Sequence, residues 1–194
     1  MFSSLTLASL TFVALQALQV TALPSSTVAA CTGPTVNSAT VSAIKGFEGF
    51  VASPAPDPIG LPTVGYGHKC RNTGCTEVPY SFPLSTSTAS SLLSSDLVQF
   101  QNCVTNAIAS AVRLNANQYG ALVSWTFNVG CSNMSSSTLI RRLNNKEDPN
   151  TVAAQELPKW NLANGQVLPG LVTRRAAEVR LFQTSTSAGA LPAC

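Results

Sequence analysis

The chain has 194 residues, a formal net charge of +3, 45% hydrophobic residues and only 10% charged ones. That apolar content excludes a disordered polyelectrolyte, and a weak positive charge without a Lys/Arg run leaves no footprint for nucleic acid. The length suits one domain or at most two small ones.

No Asp, Glu, Lys, Arg or His precedes Lys45. Residues 5–20 form an apolar run broken only by Ser, Thr and Gln. The run is short for a membrane span, which needs about 20 strongly apolar residues. Val20-Thr21-Ala22 supplies the small residues that a signal peptidase reads. Residues 1–22 are therefore expected to be a secretory signal peptide, and 23–30 a propeptide or lead-in. A single domain then spans residues 31–194, extracellular and without stable membrane insertion. All six cysteines, Cys31, Cys70, Cys75, Cys103, Cys131 and Cys194, fall in that exported part. An even count there implies up to three disulfides, with the pairing left open. His68-x-Cys70 with Cys75 offers one imidazole at irregular spacing, so no metal is expected. Asn133-Met134-Ser135 is the one glycosylation sequon, expected in a surface loop after Gly130.

Val41, Ile44 and Phe47 share a helical face that ends near Glu48-Gly49. Residues 50–76 are rich in Pro and Gly and lack a helical period. They contain Thr63-Val64-Gly65-Tyr66-Gly67-His68 and should form two or three short strands, with Tyr66 in cross-strand packing. The Ser-rich stretch 85–95 reads as helix, because Ala89, Leu93, Leu97, Phe100, Val104 and Ile108 recur at three- and four-residue spacing. Asn115 and Gln118 resemble a capping box, opening a helix through Tyr119, Leu122, Val123 and Thr126 that Gly130 ends. Leu139, Ile140 and Leu143 mark a short helix, and Pro158 is placed to stop another over residues 150–157. The last covers residues 171–182, with Leu171, Val172, Val179 and Phe182 as core candidates and Trp125 and Trp160 as core aromatics. The fold class is α+β, a mainly helical domain with a small β-lobe.

Only eight acids exist, so each can be weighed. Glu147 and Asp148 sit in a polar loop and read as solvated, Glu77 lies in a loop, and Asp96 is on the polar side of its helix. Glu156 is helical, and Glu178 follows Arg174 and Arg175 at spacings that give a surface or interhelical ion pair. Glu48 and Asp57 remain. The helix dipole and the apolar neighbours Phe47 and Phe50 disfavour a charged Glu48, the condition a general acid needs. Asp57, in the stiff and polar Ala-Pro-Asp-Pro, should stay charged. One neutral and one charged carboxyl form the pair that cleaves glycosidic bonds.

Glu48, then Asp57 nine residues on and Thr63 six further, followed by Val-Gly-Tyr-Gly-His68, resembles the active-site segment of phage-type lysozymes. These are endolysin-like muramidases of glycoside hydrolase family 24, and the likeness continues from Leu114 to Gly130, from Ser137 to Asn144 and from Trp160 to Glu178. The resemblance implies a lysozyme-like fold and hydrolysis of the β-1,4 link between N-acetylmuramic acid and N-acetylglucosamine in bacterial peptidoglycan. Glu48 would be the general acid, with Asp57 and Thr63 positioning the water. This is the inverting geometry, with about 6.5–9.5 Å between carboxyls. Phe127 and Asn128 fall in a family segment that faces the cleft, so both are candidate sugar contacts. His68 would brace the β-lobe around Glu48, and Arg174 and Arg175 would pair with Glu178 and not clamp substrate. No cofactor is implied, and a monomer is expected. The secretion signal and the cysteines imply a secreted, fungal-like member acting on bacteria. A chitin-type hydrolase and a catalytically silent wall-binding protein are the alternatives.

Overall fold

The computed structural model describes residues 32–57 and 60–193. The expected signal peptide and lead-in, and Cys31 and Cys194, lie outside those residues. The first helix, α1 (Ser38–Glu48), begins where Asn37 accepts a hydrogen bond from the Thr40 amide and ends at Gly49. Three short strands follow, β1 (Val51–Pro56), β2 (Pro62–Gly65) and β3 (His68–Lys69), in one antiparallel sheet of that order. Thr63 stands opposite Ala55 on one side and Lys69 on the other. Tyr66 is not in a strand. It occupies the β2–β3 turn and stacks on Phe50, with ring centroids 5.6 Å apart.

The long helix α2 (Thr86–Ala107) joins the β-lobe to the helical body. Ala89 and Leu92, near its start, pack with Val64, Val78 and Leu84 in a small core under the sheet. Leu93, Leu97 and Val104, further along, belong to the main core. The Ser90, Ser91, Ser94 and Ser95 hydroxyls each donate to a carbonyl one turn back, so these side chains are satisfied within the helix.

A two-residue strand, β4 (Leu114–Asn115), leads into α3 (Ala116–Val129), whose Asn115–Gln118 capping box is present. Tyr119 through Thr126 are buried, which makes α3 the centre of the fold. The approach of α1 to α3 is close enough that a Cβ on Gly120 would overlap the Thr40 hydroxyl. Gly130 ends α3, and the sequon that follows is not a loop. Asn133 lies exposed in the short helix α4 (Cys131–Ser135), where its side-chain amide donates to the Val129 carbonyl.

Next come α5 (Thr138–Asn144) and α6 (Pro149–Glu156). Pro158 does not stop α6 outright; the chain tightens into a 3-10 turn over Leu157–Lys159. An unforeseen hairpin, β5 (Leu162–Ala163) with β6 (Gln166–Val167), precedes α7 (Pro169–Gln183). A final strand, β7 (Gly189–Leu191), pairs with β4 and ties the end of the chain to the start of α3. On α7 the expected core face is wrong in part. Phe182 is buried, but Val172 is 43% exposed, and Arg174, Arg175 and Glu178 take the interior instead. Trp125 is fully buried and meets Trp160 edge to face at 5.2 Å. Two disulfides link the described cysteines, Cys70–Cys75 within the β-lobe and Cys103–Cys131 between α2 and α4. Among the described residues, no helix is long and apolar enough to cross a membrane.

Candidate active site

Between the β-lobe, the middle of α2 and the end of α3 lies a cleft of about 540 Å³. Glu48, Gly67, His68, Lys69 and Arg71 form one side, and Asp96, Gln99 and Phe100 of α2 form the other. Phe127, Asn128, Val129 and Gly130 close it at the end of α3. Phe127 packs edge to face on Phe100 at 5.1 Å, so the two rings make an apolar wall.

Glu48 is placed there because it is the last residue of α1 and the chain turns away at Gly49. The apolar setting expected from Phe47 and Phe50 is not what meets its carboxyl group. Arg174 Nη1 donates to Glu48 Oε1 at 2.6 Å, and the same guanidinium lies 4.9 Å from the centre of the Phe47 ring. Glu48 Oε2 faces the β2–β3 turn. A Cβ on Gly67 would come within 2.9 Å of that oxygen, and Gly67 sits at φ +83, so glycine is required twice over.

Behind Glu48 runs a buried polar network. Arg174 Nε donates to Glu178 Oε1 at 3.2 Å and Arg174 Nη2 to the Ser124 carbonyl at 3.1 Å. Arg175 lies 2.8 Å from Glu178 Oε2 and donates through Nη2 to Asn128 Oδ1 at 3.0 Å. Ser124 Oγ donates to Glu178 Oε1 at 2.9 Å. Burial pushes the Glu178 carboxyl up, while the two guanidiniums pull against it. Burial lowers Arg175 to about 10, which leaves it charged at neutral pH. The expected surface or interhelical pair is thus an interior one within α7, and Arg174 serves Glu48 as well as Glu178. Asn128 touches the cleft and this network at once.

His68, expected to brace the β-lobe around Glu48, reaches across to α2. Its Nδ1 donates to Asp96 Oδ2 at 2.9 Å, linking β3 to α2, and its Nε2 lies 3.5 Å from Glu77 Oε1. Burial raises Asp96, with the His68 contact opposing it. Glu77 is held below its ordinary value, chiefly by the hydrogen bond it accepts from the Arg71 amide at 2.6 Å. His68, Cys70 and Glu77 bring potential ligand atoms within 4.8 Å of one another, but the Cys70 sulfur is bonded to Cys75 and has no thiolate to offer. Neither Asp96 nor Glu77 shows a local spacing that ties it to His68 in the sequence.

Asp57 and Thr63 share the β1–β2 hairpin. Asp57 closes its turn, donating its amide to the Leu61 carbonyl at 2.7 Å and accepting the Leu61 amide on Oδ1 at 2.8 Å. Thr63 Oγ1 donates to the Ala55 carbonyl at 3.2 Å. Both belong to the lobe that borders the cleft, but neither is among the residues lining the cavity that holds Glu48, Phe127 and Asn128.

Residues 45–178 match the Phage lysozyme family. The endolysin of Bacillus phage PZA is 35% identical over 156 residues, which cover 78% of this chain and 56% of that protein. The endolysin of Salmonella phage P22 is 36% identical over 149 residues, covering 76% of this chain and 97% of its own length. The chain therefore spans little more than half the length of the Bacillus phage relatives. The muramidase domain of SpmX from Asticaccaulis excentricus shares the fold with a TM-score of 0.65 and 34% identity, over 77% of this chain and 98% of that one.

Proposed function

The chain belongs to the phage lysozyme family, a family of glycoside hydrolases, and from that premise we propose that it hydrolyses bacterial peptidoglycan between N-acetylmuramic acid and N-acetylglucosamine. The observation that carries this reading is Glu48 at the cleft wall, its Oε1 bound to Arg174 and its Oε2 beside Gly67, which lines the same cleft. Glu48 Oε2 delivers the proton to the leaving glycosidic oxygen. Asp57 and Thr63 handle the attacking water from the hairpin. The Thr63 proton is engaged by the Ala55 carbonyl, so its hydroxyl has lone pairs left to accept from that water while Asp57 takes the proton. The stereochemical course is inversion. Phe127 and Asn128 supply the apolar and polar sides of a sugar contact.

The apolar run at residues 5–20 and the two disulfides support export to an oxidising compartment. Amino-terminal sequencing of the exported protein tests that directly.

Glu48→Gln tests the catalytic reading. Gln keeps an oxygen for Arg174 to bond, so the thermal melt should stay close to that of the wild type. Release of reducing ends from purified peptidoglycan should fall by about 10² to 10⁴, the usual worth of a general acid. NMR of the first product should show the α anomer. Wild-type turnover in a folded Gln variant would sink the assignment, and a β product would remove Asp57 from the water.

A further inference from the structure

Lys69 and Arg71 flank Cys70 in the β-lobe, and both reach the cleft. The other charges of the cleft are matched. Glu48 is bound by Arg174, and Asp96 by His68. Among the described residues neither Lys69 nor Arg71 has an ion-pair partner, and both are exposed. Their backbone is held from three directions. Lys69 pairs with Thr63 across the sheet, Cys70 is bonded to Cys75, and the Arg71 amide donates to Glu77 Oε1 at 2.6 Å. Two unpaired cations at the fixed end of β3, facing a cleft for a polymer, are a site for anions carried by that polymer.

We propose that Lys69 and Arg71 form a carboxylate-binding rim that makes this protein prefer anionic wall glycan over a neutral polymer of N-acetylglucosamine. The proposal rests on the peptidoglycan reading and adds its specificity element. The lactyl arm of muramic acid ends in a carboxylate or in a peptide stem that carries carboxylates, whereas chitin-like chains carry none. Arg71 has the planar fork for a bidentate contact, and Lys69 supplies a movable point charge beside it. The two residues bind and orient substrate and take no part in proton transfer.

The test crosses a change in the protein with a change in the substrate. Peptidoglycan freed of wall phosphate polymers is used as prepared, and again after carbodiimide amidation that converts its carboxylates to neutral amides. Wild-type kcat/KM should fall about fivefold to tenfold on amidation at low salt, mostly through KM, as two exposed ion pairs would give. In Lys69→Gln/Arg71→Gln that ratio should shrink toward one, and about 0.3 M salt should shrink it in the wild type. A double variant that keeps the wild-type ratio overturns the proposal, as does a preference seen only on walls that retain phosphate. If the wild type frees no reducing ends from either wall, the peptidoglycan reading fails. Co-sedimentation of both proteins with native and amidated walls then decides the rim, by the same ratio.

Discussion

Gly67→Ala puts a single methyl group against the residue on which the chemistry is proposed to turn. Its Cβ would stand 2.9 Å from Glu48 Oε2 and 3.2 Å from Glu48 Cδ and Cγ. Glu48 cannot swing clear, because Arg174 holds Oε1 at 2.6 Å and is itself fixed by Glu178 and the Ser124 carbonyl. Ala at φ +83 costs about 1–2 kcal/mol of backbone strain, which lowers Tm by about 2–8 °C in a domain of this size. Restoring ordinary contact moves the carboxylate by about half an ångström, and misplacement by about 1 Å is worth about 10² in rate. The expected kcat is therefore about tenfold to a hundredfold lower, with KM little changed. Reducing-end kinetics on purified peptidoglycan, run beside thermal melts, separate the two effects. A variant that melts lower as expected yet keeps kcat within about twofold of the wild type would refute the reasoning, because Glu48 placement would then not matter to the rate.

Glu178→Leu leaves Arg174 with Glu48 as its remaining carboxylate and buried Arg175 with none, and should cost about 3–5 kcal/mol in urea unfolding. A loss below about 1 kcal/mol would mean that the network contributes little to the fold. Asp148 caps α6 by accepting from the Thr151 amide and hydroxyl, which holds its carboxyl below the ordinary 3.8. Its contribution is therefore full above pH 3.8 and is lost as pH falls through the lower folded value. The gap in Tm between wild type and Asp148→Asn should narrow on acidification, and a gap constant across that range would contradict the linkage.

What the sequence made legible follows from how far each signal reaches along the chain. The α2 periodicity, the Asn115–Gln118 box and the Pro/Gly-rich β-lobe are local patterns, and the structure contains each of them. The β5–β6 hairpin and the β4–β7 pairing are not legible in the sequence, because strands of two or three residues carry no alternation to read. The α7 face misled for a different reason. An apolar period cannot signal a helix that buries two arginines and a glutamate, since burial there depends on partners elsewhere. The Arg174–Glu48 bond joins positions 126 residues apart, and no spacing rule spans that distance. His68 is the only histidine, but its partner Asp96 is 28 residues away on the polar side of a helix, and no local pattern joins the two.

The scarcity of charge takes on a structural meaning once the acids are followed to their partners. Glu48 and Glu178 hold Arg174 and Arg175, Glu156 holds Arg142 and Lys159, and Glu147 also meets Arg142. Asp96 and Glu77 face His68, Asp148 caps a helix, and Asp57 closes the hairpin turn. All eight acids are thus engaged in holding the fold, and the surplus of the chain is entirely cationic. That surplus becomes directional at the cleft, where among the described residues Lys69 and Arg71 stand without a matching acid. The chain Asn128–Arg175–Glu178–Arg174–Glu48 joins the Glu48 side of the cleft and its α3 end to α7. Shifting any member of that chain displaces the proposed acid and the proposed sugar contact together. Stability and activity should therefore be lost in parallel for substitutions at Arg174, Arg175 and Glu178, whereas Glu48→Gln should lose activity alone and substitutions at Lys69 and Arg71 should change specificity and spare the melt.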